Sequence, residues 1–293
     1  MAVPSSSVKF RRMSRSEVDT LIGWAAGEGW NPGRSDAECF WAADPQGFLA
    51  VEVDGQLAGG GSIVRHNSRF GFMGLFILQP QFRGHGFGKK LWFERRDRLC
   101  SRLAADGCIG LDAVTDMIPF YARGGFRTHV RHLRHEFSGA GLDCRGASDD
   151  PQLIPLDNVP LADVLELDGR CFPGPRDSFV RTWLQQVGSV AIGYQTDDGL
   201  AGYSLMRPCE VGWKIAPLFA KDADGAELLL RHCLIRAGQA SVYVDVPECN
   251  SAAMALCQKY GGRIVFECTR MYLGPPPELE DGSIFGISSL ELG

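Results

Sequence analysis

Apolar residues recur every three to four positions over 16–27, where Val18, Leu21, Ile22 and Ala25 share one face, so a helix is expected there. Ser14 and Glu17 have capping-box spacing at its start. A loop of Gly, Pro and Asn follows over 28–36, and Ser35 or Asp36 can cap a second helix through about Ala43. The period then changes. Residues 47–53 are apolar and β-rich, Asp54-Gly55 is a type I′ turn signal, and 56–64 return as the second arm of a hairpin. Asn67-Ser68 turn into an apolar strand over 70–78. A glycine-studded loop over 81–88 opens a helix over 89–105. Its apolar face carries Leu91, Trp92, Leu99 and Leu103, and Glu94, Arg95, Asp97 and Arg98 fall to the solvated face. Residues 108–114 read as a buried strand, 119–123 as a short helix and 126–137 as a closing strand. An antiparallel meander followed by strand, helix, strand, helix, strand predicts an α+β fold. Its layers form an α/β three-layer arrangement around a mixed, mostly antiparallel sheet.

The second half repeats the first. Asp54-Gly55 and Gly59 are echoed by Asp198-Gly199 and Gly202, each between two apolar strands. GLDAVTD at 110–116 is echoed by YVDVPEC at 243–249, and YARGGF at 121–126 by CQKYGGR at 257–263. Two domains are therefore expected, over 1–140 and 150–293, with the boundary in the Gly-, Ser- and Asp-rich stretch 138–152.

The chemistry concentrates in the glycine loop. Gly84, Gly86 and Gly88 alternate with Arg83, His85 and Phe87, and Lys89 and Lys90 follow. Glycines admit positive φ and close approach to the backbone. A loop of free N–H groups at a helix start attracts anions. This is a candidate phosphate cradle. No Gly-x-x-x-x-Gly-Lys-Ser/Thr run exists, and the two-residue spacing does not match the dinucleotide fingerprint Gly-x-Gly-x-x-Gly.

Gln81-Phe82-Arg83-Gly84-His85-Gly86 resembles the Gln/Arg-x-x-Gly-x-Gly/Ala signature of the GCN5-related N-acetyltransferase (GNAT) superfamily, which grips the pyrophosphate of acetyl-CoA. LDAVTDMIPFYARGGF at 111–126 resembles that family's segment ending in Leu/Phe-Tyr-x-x-x-Gly-Phe. EGWNPG at 28–33, together with this segment, is similar to a tandem subgroup with a diverged C-terminal GNAT-like domain. Val114 and Met117 stand where that subgroup usually has Thr and a Gly. The resemblance implies two tandem acyl-CoA N-acyltransferase folds.

It also implies a set of site residues. Gln81, Phe82, Arg83, Gly84, His85, Gly86, Phe87, Gly88 and Lys89 would hold the pyrophosphate. Phe76, Ile77 and Leu78 would pair with the pantetheine amides. Tyr121 would give a proton to the departing thiolate. Asp112, at a strand end near the thioester carbon, would help deprotonate the incoming ammonium. Trp30, Asn31 and Asp36 would contact the acceptor. Independently of the resemblance, Arg176, Arg207 and Arg270 of the second half are expected to face an interdomain cleft and favour an acidic acceptor.

The expected activity is acetyl-CoA-dependent N-acetylation of a primary amine on a small molecule or peptide, by direct attack and without a metal. A non-catalytic acyl-CoA-binding sensor or interaction module is the alternative. An aminoacyl- or acyl-transferring tandem enzyme that does not use acetyl-CoA is a further rival, disfavoured by the intact glycine loop.

In the second half QFRGHGFGKK is replaced by AKDADGAELL, 220–229, where Asp222 and Asp224 would repel phosphate. Cys257 stands in place of Tyr121, and Asn250 and Ala253 are expected to serve the fold. Only the first half is expected to bind coenzyme, with the second bracing it and walling the acceptor pocket.

Totals narrow the setting. The chain has 293 residues, 45% hydrophobic and 22% charged, which are globular values. A net charge of −5 gives no bulk attraction to nucleic acid, and no apolar run is long enough for a membrane helix. Ten cysteines without a Cys-x-x-Cys pair read as reduced thiols of a cytoplasmic protein acting as a monomer or homodimer. His129, His132 and His135 cannot converge on a metal from one strand, because His132 points opposite to the other two. With Arg127, Arg131 and Arg134 they read as a solvated or anion-facing strip.

Overall fold

A computed structural model of the chain describes residues 7–138 and 150–293. Residues 139–149, which hold Cys144 and most of the expected domain boundary, lie outside the described residues. The pattern analysis gives no strand before the first helix, but the structure has one, β1 (Val8–Arg12). Helix α1 (Arg15–Gly27) follows, with both arms of the Ser14–Glu17 capping box formed. Next come α2 (Asp36–Ala43) and the hairpin of β2 (Phe48–Val53) and β3 (Gln56–Arg65). Asp54 and Gly55 turn it with φ of 49° and 81°, as a type I′ turn requires.

β4 (Phe70–Leu78) leads through the glycine loop into α3 (Phe87–Cys100). This helix starts two residues earlier than its pattern suggests, because left-handed Gly86 is its N-cap. It ends at Cys100, where the Ser101 hydroxyl donates to the Arg98 carbonyl and closes the last turn. β5 (Cys108–Ala113), α4 (Ile118–Ala122) and β6 (Arg127–Ser138) complete the first half.

The second half opens with β7 (Leu153–Pro155), α5 (Leu161–Cys171) and α6 (Asp177–Leu184). β8 (Val190–Thr196), β9 (Gly199–Pro208) and β10 (Trp213–Ala220) form its meander. Then follow α7 (Ala223–Ala237), β11 (Ser241–Pro247), α8 (Ser251–Lys259) and β12 (Arg263–Leu273). A tail carries β13 (Ile284–Gly286).

All these strands join one sheet, in the order β1-β2-β3-β4-β5-β12-β6-β11-β10-β9-β8-β7, with β13 on β10. Among the described residues only β4–β5 and β10–β11 pair in parallel. The two halves exchange their last long strands. β12 lies between β5 and β6, with Arg270 opposite Asp112, and β6 lies between β12 and β11, with His135 opposite Val244. One apolar cluster accordingly spans both halves, from Val18, Phe40 and Ile77 to Trp183, Phe219 and Leu292. Each half also keeps its own cluster against its long helix, around Trp92 in the first and Leu229 in the second. Among the described residues no helix is long and apolar enough to cross a membrane.

Candidate active site

β4 and β5 pair only from Phe70–Cys108 to Phe72–Gly110 and then part, although β4 continues to Leu78. At the fork β4 carries a bulge. Leu75 and Phe76 oppose the single residue Gly61, and Leu75 takes a φ of 51°, which is costly for a branched side chain. A bulge re-aims a strand, and here it opens a groove of about 380 Å³. Phe76, Ile77 and Leu78 form one wall, with Gly88 and Lys89 at one end and Tyr121 at the other. The lining comes wholly from first-half residues, Glu28 to Tyr121. The second half does not wall this groove; it presses on β4 from behind. A side chain at Gly74 would meet the Glu291 carbonyl at 2.0 Å.

The loop itself is open. Gln81, Arg83, Gly84, His85, Gly86 and Lys89 are exposed, while Phe82 and Phe87 tuck against the first-half cluster. Gly84 and Gly86 have φ of 81° and 79°. No side chain caps α3, so the first-turn amides stay free for an anion. Arg83 is occupied. It donates to the Leu78 carbonyl at 2.8 Å and pairs with Glu28 across the groove mouth.

Tyr121 is 9% exposed, on α4 against Trp92 and Phe120. Its hydroxyl has no hydrogen-bond partner among the described residues, although it lines the groove. Burial pushes its pKa up to about 12, against the opposing pull of Arg95. The phenol is thus protonated at neutral pH and free to donate.

Several expected ligand contacts are committed elsewhere. The Asp112 carboxylate is not in the groove. Arg270 grips it at 2.9 and 2.7 Å, and His132 adds a contact at 3.1 Å. Burial would raise its pKa, but these neighbours hold it below the usual carboxylate range. Asp36 is fully buried on Arg207, at 2.9 and 3.2 Å, and accepts from the Gly33 amide. Asn31 bonds both backbone groups of Val211, and its own carbonyl takes Lys214. Of the three proposed acceptor contacts only Trp30 lines the groove, as do Val114 and Met117.

Arg176 and Arg270 each line a cavity bordered by both halves and Arg207 is fully buried, but Asp168, Asp112 and Asp36 neutralise all three. The β6 strip is not solvated throughout, since His132, Arg134 and His135 are buried between the halves. The nine described cysteines are free thiols.

Asp36→Ala should therefore act on stability. It leaves Arg207 buried without a counter-ion, at a cost of roughly 3–5 kcal/mol, readable by urea unfolding. Burial pushes the Asp36 pKa up, but Arg207, with Lys214 and the Gly33 amide, holds it below the usual carboxylate range. A carboxyl depressed in the folded state stabilises above its unfolded pKa, near about 4. That contribution should vanish as pH falls below this range, so wild type and Asp36→Ala should converge in acid.

The second half closes its copy of this site. β10 and β11 also part, after Ile215–Val244, and β10 bulges at Ala216 and Pro217, but Pro217 has no N–H to offer. The Asp222 carboxylate caps α7 by accepting from the Gly225 amide at 2.8 Å, standing where an anion would bind. β13 fills the fork. It pairs with Leu218 and Phe219, the Ile287 amide reaches the Asp245 carbonyl, and a Cβ on Gly286 would lie 2.7 Å from Val244. Asn250 fastens this tail by donating to the carbonyls of Asp281, Gly282 and Ile284.

One groove residue escapes the sequence pattern. Arg95 is 1% exposed and points into the sheet. Its spacing from Leu91, Trp92 and Leu99 places it on their buried face, and its charge alone had suggested solvent.

The chain is similar to known proteins along most of its length. The profile described as Acetyltransferase (GNAT) family matches residues 15–126, and the one described as Acetyltransferase (GNAT) domain matches 164–286. A holothin acyltransferase of Pseudoalteromonas sp. is 28% identical over 281 residues, covering 96% of this chain and 92% of that protein. A putative acetyltransferase from Pyrococcus horikoshii superposes with a TM-score of 0.81 at 19% identity, over 100% of this chain and 98% of that one. A tandem GNAT protein from the clavulanic acid biosynthesis pathway superposes at 0.62 and 16% identity, over 92% and 100%. Both matched segments, the single sheet with two forks and the tandem relatives place this chain in the GNAT acyltransferase superfamily, with two GNAT domains in one polypeptide.

Proposed function

We propose that the protein transfers an acetyl group from acetyl-CoA to a primary amine of a small molecule or peptide. The observation that carries this is one continuous groove running from an uncapped glycine loop to an unbonded phenol, along a strand that has left its neighbour. In this reading the loop amides and Lys89 hold the pyrophosphate. The free edge of β4 pairs with pantetheine, and the thioester lies at the bulge near Tyr121. The neutral amine attacks the thioester carbon directly, and orientation supplies up to ~7–11 kcal/mol of the barrier. Tyr121 protonates the sulfur. With Asp112 committed to Arg270, the ammonium proton leaves through water. The second half braces β4 without binding coenzyme, and no metal, nucleic acid or membrane takes part.

A thiol-release screen with acetyl-CoA against an amine library tests the proposal. Holothin belongs in the acceptor panel, and longer acyl-CoA donors in the donor panel, because the holothin acyltransferase aligns along nearly its whole length. Release with at least one amine is expected. Coenzyme binding in calorimetry with no turnover on any amine would favour a non-catalytic acyl-CoA sensor instead.

A further inference from the structure

Five arginines are buried among the described residues: Arg95, Arg134, Arg176, Arg207 and Arg270. Four of them grip an aspartate through Nε and Nη2, namely Asp245, Asp168, Asp36 and Asp112. Arg95 is the exception. Its Nη2 donates to the carbonyls of Ser62 and Gly74, at 2.7 and 2.6 Å, and its Nε has no acceptor. The acids nearest in sequence are taken, Glu94 by Arg98 and Asp97 by Arg96. Room for the guanidinium exists because β3 has glycine there; a Cβ on Gly61 would lie 2.5 Å from Cζ. The cation packs 5.2 Å over the Phe76 ring, directly behind the bulge, and lines the same groove as Tyr121.

An uncompensated buried charge is expensive, and its field is strong because little water screens it. We propose that Arg95 is the fixed positive charge of the groove and that it stabilises the coenzyme thiolate as that anion forms. The proposal rests on reading the groove as a coenzyme A site. As the amine forms its C–N bond, the C–S bond breaks and the electron pair stays on sulfur. Sulfur then takes the Tyr121 proton, leaving a phenolate that regains a proton from solvent, while the amine nitrogen loses its proton to water. In each state one negative charge sits in a groove that already holds a cation. A preorganised charge aimed at developing charge costs no reorganisation during reaction.

The groups facing Arg95 are Gly61 and Ser62 of β3, Gly74 and Phe76 of β4, and Tyr121 of α4, the one titratable side chain among them. Burial lowers the Arg95 pKa to about 10, so it remains charged at neutral pH. Arg95 acts through its field and through Tyr121, as a positioning residue.

The test uses the full chain and reduced coenzyme A, with no acceptor. The bound thiol is titrated by thiolate ultraviolet absorbance. In wild type it should ionise at lower pH than the thiol of coenzyme A free in the same buffer. In Arg95→Gln, which keeps amide donors for Ser62 and Gly74, its pKa should rise by roughly one unit or more, a tenfold change in the ionisation constant. Arg95→Lys should restore the wild-type value. If Arg95→Gln does not fold, wild type against Arg95→Lys still decides: a thiol of ordinary pKa in both overturns the proposal. Equal values in wild type and a folded Arg95→Gln overturn it too. So does an Arg95→Lys protein that matches Arg95→Gln, which would leave Arg95 only a clamp on the bulge. Failure of wild type to bind coenzyme A would instead remove the groove assignment itself.

Discussion

Gly84→Val and Gly86→Val should each abolish measurable acetyl-CoA binding while the protein stays folded. Both glycines have φ near 80°, where a β-branched residue is strained. Both are exposed, and an added Cβ would meet no atom within 4 Å. The strain of about 1–2 kcal/mol is small against the ~5–15 kcal/mol of a typical fold. Binding pays far more. The new side chain would fill the space above the loop amides and turn them away from the phosphates. Charge-assisted hydrogen bonds contribute ~1.5–3 kcal/mol each, so losing two corresponds to a loss of roughly 100-fold or more in affinity. Calorimetry with circular dichroism reads both quantities. Unchanged affinity in either variant would show that the pyrophosphate is held elsewhere.

Tyr121→Phe should lower kcat by roughly 100-fold or more, the ordinary contribution of a general acid, with coenzyme affinity changed by no more than about threefold. The hydroxyl makes no hydrogen bond to the described residues and the ring packs on Trp92 and Phe120, so the substitution costs the fold little. Steady-state kinetics beside calorimetry separates the two effects. Turnover at the wild-type rate would mean that another group, or water, protonates the sulfur.

The first half was legible because its signals are local. Asp54-Gly55 fixes a hairpin, and alternating glycines mark the loop between β4 and α3. The exchange of β6 and β12 was not legible, since alternating side chains mark a strand but do not name its partner. Acids beside a presumed site were misleading for the same reason. The arginines that neutralise Asp36 and Asp112 lie 171 and 158 residues away in the chain. Three-residue β13 is too short for any periodic signal, yet it closes the second fork. Arg95 was recoverable from helical spacing, and its charge obscured it.

The exchanged strands also bear on how the protein is made. The chain between Ala113, the end of β5, and Arg263, the start of β12, takes roughly 8–30 s to synthesise at about 5–20 residues per second. Throughout that interval β5 lacks the neighbour it has in the folded sheet, and an unpaired strand edge is the kind of surface on which chains aggregate. β5 is also one arm of the fork that opens the groove. The half with the open groove is therefore completed by a strand that is synthesised only after most of the second half.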